Sequence, residues 1–336
     1  MDHKGVQRLL LKIGNVVCDH VYHSLQQHNH ETLRIVAEET EEDTIYAIDK
    51  DVEHLILPLI EEEAASLGGI KLIAEGLDSD NGKNLFPSNH SENPAVLIIM
   101  DPIDGTRGIM YNKRSAFFLA AAAPNNSSIK YLQDIEVSIM TEIPTSKAYL
   151  SDTFFAIKGN GAHGLRRDLI NHTTAKLNFK PSSAESIIGG FAQIARFFPP
   201  GKEILAKIEE ELIAQLDDIH EGKALIFEDQ YISSGGQLYE LLMGHDRFVA
   251  DLRPPLYKHL RKKGTPGGLT CHPYDVCATL IGEEAGIIIT DIEGNKLNVP
   301  LDLTTPVCWL AYANSRIHKQ VEPVLQNILR EINWIN

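Results

Sequence analysis

Two aspartates three positions apart, Asp101 and Asp104, close an unbroken apolar run in this 336-residue chain. The run, Ala95-Val96-Leu97-Ile98-Ile99-Met100, is short and rich in β-branched residues, the pattern of a buried strand. Carboxylates at the end of a core strand cost several kcal/mol unless a positive charge offsets them. A divalent metal supplies that charge, and hard oxygen ligands on a stiff turn suit Mg²⁺ better than zinc or copper. Pro102 stiffens the turn, Gly105 permits close backbone approach, and Thr106 offers a hydroxyl to cap a helix or orient a water. A corner carrying two solvated aspartates satisfies the same spacing.

Three further blocks bear on that choice. Cys271-His272-Pro273-Tyr274-Asp275-Val276-Cys277-Ala278 carries an acid, and Glu284-Ala285-Gly286 follows it. Leu72-Ile73-Ala74-Glu75-Gly76 ends an apolar run on Glu75, and Tyr46 to Glu53 carries Asp49 and Asp51. Together with Asp101-Pro102-Ile103-Asp104-Gly105-Thr106, these blocks resemble the inositol monophosphatase family of the fructose-bisphosphatase-like superfamily, in the family's order from about residue 45 to the C-terminal helix. The resemblance implies an α/β fold, a layered α-β-α-β-α sandwich, and a Mg²⁺-dependent, lithium-sensitive phosphomonoesterase with two or three metals per site. It implies that Glu75, Asp101 and the Ile103 carbonyl hold one metal. Asp101, Asp104 and Asp275 would hold a second, and Glu75 with water a weaker third. Thr106, through Glu75 or Asp49, would orient the attacking water, and the amides of Gly105 and Thr106 would cradle the phosphate. Asp51 rivals Asp49 for its role. Gly76 stands where the family usually has a second acid, which puts the third metal in doubt unless Asp78 or Asp80 substitutes.

The chemistry asks for such a convergence. Hydrolysing a phosphate monoester needs an activated water, neutralised non-bridging oxygens and a stabilised leaving alkoxide. Paired metals about 3.5–4 Å apart can meet all three needs. Glu75, Asp101, Asp104 and Asp275 each stand at the end of an apparent element.

Composition narrows the partners. A net charge of −15 argues against nucleic acid or an anionic membrane surface. Metals reconcile that charge with an anionic substrate by inverting the sign of the pocket. No apolar run approaches the length of a membrane span, and the N-terminus does not read as a signal peptide. Four scattered cysteines, Cys18, Cys271, Cys277 and Cys308, fit buried thiols in a reduced, cytoplasmic protein. The resemblance implies a homodimer.

The elements that would position these residues divide into two lobes, 1–181 and 182–336. The first has a helix over 3–28, a helix capped by Asp49 and running to Leu67, and strands at 70–74, 95–100, 116–123, 135–140 and near 147–157. The stretch 77–94 reads as a mobile loop, and Gly159-Asn160-Gly161-Ala162 as a turn. The second lobe has a strand at 186–189, a helix over about 201–217, a helix at 237–243, a strand at 248–251, a helix at 275–285, strands at 287–290 and 308–313, and a terminal helix at 316–331.

Substrate choice falls to the second lobe. Asp251 corresponds loosely to a family acid that accepts from a sugar or cyclitol hydroxyl; as a plain residue it also reads as a strand end. The segment 252–274 is longer than in simple inositol phosphatases and carries Arg253, Lys258, His259, Arg261, Lys262 and Lys263. It reads either as a solvated loop or subunit contact, or as a holder of a second anionic group. The expected substrate is a small phosphorylated metabolite, an inositol phosphate or other polyol phosphate first, then fructose bisphosphate or a 3′-phosphonucleotide. A metal- or ligand-binding relative without turnover is the rival from another class.

Overall fold

The computed structural model describes residues 1–27, 36–39, 44–76, 83–85, 93–126, 129–218 and 221–336, with the backbone alone of 36–39, 44–47, 49, 50 and 84. Most of the first half builds one eight-stranded sheet. Its strands are β3 (Ile70–Ala74), β4 (Lys83–Leu85), β5 (Val96–Asp104), β6 (Ala116–Pro124), β7 (Val137–Ile143), β8 (Leu150–Ile157), β9 (Ala162–Asp168) and β10 (Thr173–Lys176). They lie in the order β10-β9-β8-β7-β6-β5-β3-β4. Only β3 and β5 pair in parallel; the other neighbours run antiparallel. A short hairpin, β1 (Val36–Glu39) with β2 (Thr44–Tyr46), stands apart. A second sheet, β11 (Phe191–Ile194), β12 (Asp246–Asp251), β13 (Ile288–Thr290) and β14 (Trp309–Tyr312), has the order β11-β12-β14-β13.

The β6 sequence shows why the large sheet is covered on both faces. Alternate side chains point to opposite faces of a strand. Phe117, Leu119, Ala121 and Ala123 join the core shared with the second sheet. Ala116, Phe118, Ala120 and Ala122 join a separate core under two helices, α1 (His3–Gln27) and α2 (Ala47–Ala64). Between the sheets lie α5 (Ser234–Leu242), against β6 and β12, and α7 (Thr279–Glu284), against β7, β8 and β13. Beyond the small sheet, α4 (Lys202–Leu216) packs on β11 and α8 (Ser315–Glu331) on β14. The layers are therefore α-β-α-β-α, the sandwich that the resemblance implied. Helices α3 (Thr106–Met110) and α6 (Arg253–Lys262) complete the described α-helices.

Several expected boundaries move. The strand expected at 186–189 lies instead at 191–194, because Gly189 takes φ +74° and turns the chain before Phe191. Helix α2 begins at Ala47, so Asp49 lies within its first turn and does not precede it as a cap. The helix expected from 275 begins only at Thr279. The segment 252–274, read as a loop, contains α6, and most of 77–94 lies outside the described residues. The turn at 159–162 joins β8 to β9 as expected, with Gly159 and Gly161 both at positive φ.

Candidate metal centre

Strand β5 does not end at Met100. It continues to Asp104 with a bulge: Asp101 pairs with Leu119 and Asp104 with Phe117, so three steps on β5 oppose two on β6. In a regular strand, residues three apart face opposite sides. The bulge cancels that reversal and sets both carboxylates on the Phe117/Leu119 face, toward α5 and α7. Pro102 lies inside the bulge, where its missing amide hydrogen interrupts no ladder. Gly105 then takes φ +91° and opens α3.

Asp275 arrives on a turn just ahead of α7. Its amide donates to the His272 carbonyl at 3.1 Å, and its Oδ2 accepts the His272 amide at 2.6 Å. Ser138 on β7, fully buried, pins the next residues by donating to the Cys277 carbonyl at 2.7 Å. One carboxylate oxygen from each of Asp101, Asp104 and Asp275 lies within 4.8 Å of the others. Among the described residues it is the one such group of ligand side chains. Glu75 lies beside it, one residue past β3. The parallel register places Ala74 beside Met100, and the Glu75 amide donates to the Met100 carbonyl at 3.2 Å, which brings Glu75 next to Asp101.

The electrostatics follow from this crowding. Burial pushes the Asp101 carboxyl well above its ordinary range. The charges of Glu75, Asp104 and Asp275 and a hydrogen bond with Glu75 push it further. Burial also lifts Asp104, to about 6, against the opposing hydrogen bonds from Gly235, Ser233 and Ser234. A cluster of acids that resists ionisation in a buried place is a donor set short of positive charge. Three hard carboxylates with a fourth beside them fit a divalent cation.

The other expected site residues are placed as follows. Thr106, half-buried, donates its hydroxyl to the Ile103 carbonyl at 2.7 Å. That carbonyl keeps a second lone pair. The Asp49 side chain lies outside the described residues. Asp251 is 1% exposed and paired with Arg253: Oδ1 accepts Arg253 Nε at 2.8 Å, and Oδ2 accepts it at 3.0 Å. Arg253 is itself buried. It donates to the Leu269 carbonyl at 3.2 Å and lies over the rings of Phe197 and Phe198. Of the rest of the basic cluster, Lys258, Arg261, Lys262 and Lys263 are exposed and His259 is half-buried. Gly76 has φ +82°, and a Cβ there would meet Glu53 Oε1 at 2.5 Å. A side chain at that position would strain the backbone and displace the Glu53 carboxylate. The donors that hold Asp104, Ser233 and Gly235, were not among the expected site residues; the run Ser233-Ser234-Gly235-Gly236 ahead of a helix was their signal.

Comparison with known structures bears on the architecture. A fructose-1,6-bisphosphatase of Leishmania major superposes with a TM-score of 0.69 at 12% identity, covering 96% of this chain and 94% of that one. The extragenic suppressor protein SuhB of Bartonella henselae gives 0.63 at 14% identity, covering 95% and 98%. A Thermotoga maritima IMPase gives 0.59 at 16% identity, covering 97% and 99%. The chain shares the fold of these IMPase and fructose-1,6-bisphosphatase structures. Within that fold, the acids of this chain meet between the two sheets, where the bulge of β5 faces the turn ahead of α7. No family model matches the chain. Among curated proteins, a bifunctional NADP phosphatase/NAD kinase of Methanococcus maripaludis is 23% identical over 316 residues, taking in 83% of this chain and 48% of that protein. The chain spans about half the length of that relative. No helix among the described residues is long and apolar enough to cross a membrane. The four cysteines are free, and only Cys308 is not fully buried.

Proposed function

We propose that the protein is a Mg²⁺-dependent phosphomonoesterase acting on a small phosphorylated metabolite, with Asp101, Asp104, Asp275 and Glu75 as the metal-holding residues. The observation that carries this reading is the bulge that turns Asp101 and Asp104 to one face, within 4.8 Å of Asp275. A divalent cation held there supplies the charge that offsets the phosphate oxygens and makes water a nucleophile at neutral pH. Thr106 has committed its hydroxyl proton to Ile103, so toward an attacking water it acts as a hydrogen-bond acceptor and sets that water's orientation. Gly105 has no side chain to block the phosphate, and its amide and that of Thr106 are the donors assigned to the phosphate oxygens. Asp49 is kept as a partner of Thr106. Asp251 reaches a substrate hydroxyl only by exchanging a donor of Arg253, so its role in this reading is to shape the pocket wall through Arg253. The protein would work as a homodimer and be inhibited by lithium.

Polyol and inositol phosphates lead the substrate order. A phosphorylated nucleotide is the second reading, favoured by the likeness to a protein named for NADP phosphatase activity. Phosphate release is to be measured with Mg²⁺ from inositol 1-phosphate, fructose 1,6-bisphosphate, a 3′-phosphonucleotide and NADP, each against D101N and against chelator. Release from at least one, abolished in both controls, is the expected result. No release above D101N from any of them would leave a non-catalytic ligand-binding protein as the better reading.

A further inference from the structure

Asp104 belongs to the large sheet, yet it is gripped by the helix that seats between the sheets. Ser233, 5% exposed, stands at the start of α5. Its hydroxyl accepts the Gly236 amide at 2.8 Å and donates to Asp104 Oδ2 at 2.8 Å. A hydroxyl has one proton. With the amide hydrogen on its lone-pair side, that proton points at Asp104. Gly235 donates its amide to the same oxygen at 2.5 Å. A Cβ on Gly235 would lie 3.0 Å from Asp104 Oδ2 and 2.9 Å from Phe117 Cβ, so the approach needs a glycine. On its other side Ser233 presses on the metal loop: its Cβ lies 3.1 Å from where a Gly105 Cβ would be. Oδ2 of Asp104 is thus held by two donors of α5, and the Ser234 amide adds a third hydrogen bond to the carboxylate.

We propose that Ser233 is a positioning residue for the cation: its hydroxyl fixes the rotamer of Asp104, so that cation affinity depends on how α5 is seated between the two sheets. This inference rests on reading Asp104 as a metal ligand. Groups that orient metal ligands in this manner change affinity by about 10–100-fold when removed.

The test is a calorimetric titration of the whole protein with MnCl₂ alone, alongside thermal melts of the metal-free forms. Ser233→Ala loses both the cap and the donor. Ser233→Gly loses the donor while costing the cap only a few tenths of a kcal/mol. Ser233→Thr keeps both. The expected result is Mn²⁺ affinity at least about tenfold weaker in S233A and S233G, restored in S233T, and absent in D104N. If S233G binds Mn²⁺ as the wild type does while D104N does not, the inference falls and the metal reading stands. If D104N binds Mn²⁺ unchanged, the metal reading falls and takes the inference with it. A lower melting temperature in S233A with unchanged Mn²⁺ affinity would reduce Ser233 to a helix cap and overturn the proposal.

Discussion

Replacing Asp101 by Asn should stabilise the metal-free protein and at the same time remove its response to metal. Asp101 is 2% exposed and has ligand oxygens of Asp104 and Asp275 within 4.8 Å. At an effective dielectric constant of about 20, each ionised pair at that distance repels by roughly 3.5 kcal/mol. Protonation already relieves part of this, because Asp101 is held well above the usual carboxylate range by burial and by its acidic neighbours. The amide keeps an oxygen to accept the Ile103 N–H, now at 2.9 Å, and offers Glu75 a donor in place of a shared proton. The net gain for metal-free D101N is about 2–3 kcal/mol near neutral pH, or roughly 3–4 °C in melting temperature for a chain of this size. The wild type should gain about 2.7 kcal/mol from Mg²⁺ at a hundred times its Kd, and D101N should gain nothing. Melts of both forms with and without Mg²⁺ at pH 7.5 read both effects. A destabilised metal-free D101N, or one that Mg²⁺ still stabilises, would refute the reasoning.

Two predictions concern groups outside the cation cluster. Glu142 accepts from Ser115 Oγ at 2.7 Å, while the neighbouring Asp152 takes Arg166 in a two-point pair at 2.6 Å. Burial therefore lifts Glu142 from 4.5 to about 7. A carboxyl raised in the folded state holds its proton more tightly there than in the unfolded chain. Its contribution is full below about pH 4.5 and is lost as pH rises through about 7, a change of about 3 kcal/mol. Urea unfolding of E142Q should be flatter than wild type across that window; parallel profiles would contradict the assignment. Breaking the buried Asp251–Arg253 pair with R253M should cost about 3–5 kcal/mol, and D251L/R253M should recover much of it. A double variant no better than the single would show that the loss comes from packing on Phe197 and Phe198.

The residues that could do chemistry were more legible than the geometry that joins them. Asp101, Asp104, Asp275 and Glu75 stand beside apolar runs or turn residues, and such transitions can be read in a sequence. The bulge cannot, because it depends on the pairing of β5 with β6, and a linear reading stopped the strand at Met100. Ser233 and Gly235 meet Asp104 across about 130 positions, a contact that no local pattern encodes. Helix α6 was hidden by Pro254-Pro255 and its basic residues, although proline in a first turn is itself a helix-start signal. Asp251 was read either as an acid accepting from a sugar or cyclitol hydroxyl or as a plain strand end. Its partner, two residues on, folds back onto it with both side chains buried. The large sheet was legible because its central strands are buried on both faces and so read as unbroken apolar runs.

The most direct measurement is an anomalous difference map from crystals of the protein soaked in Mn²⁺. Density is expected between the carboxylates of Asp101, Asp104 and Asp275, with Glu75 turned toward it. Mn²⁺ bound elsewhere, or no density at those three aspartates at millimolar Mn²⁺, would contradict it.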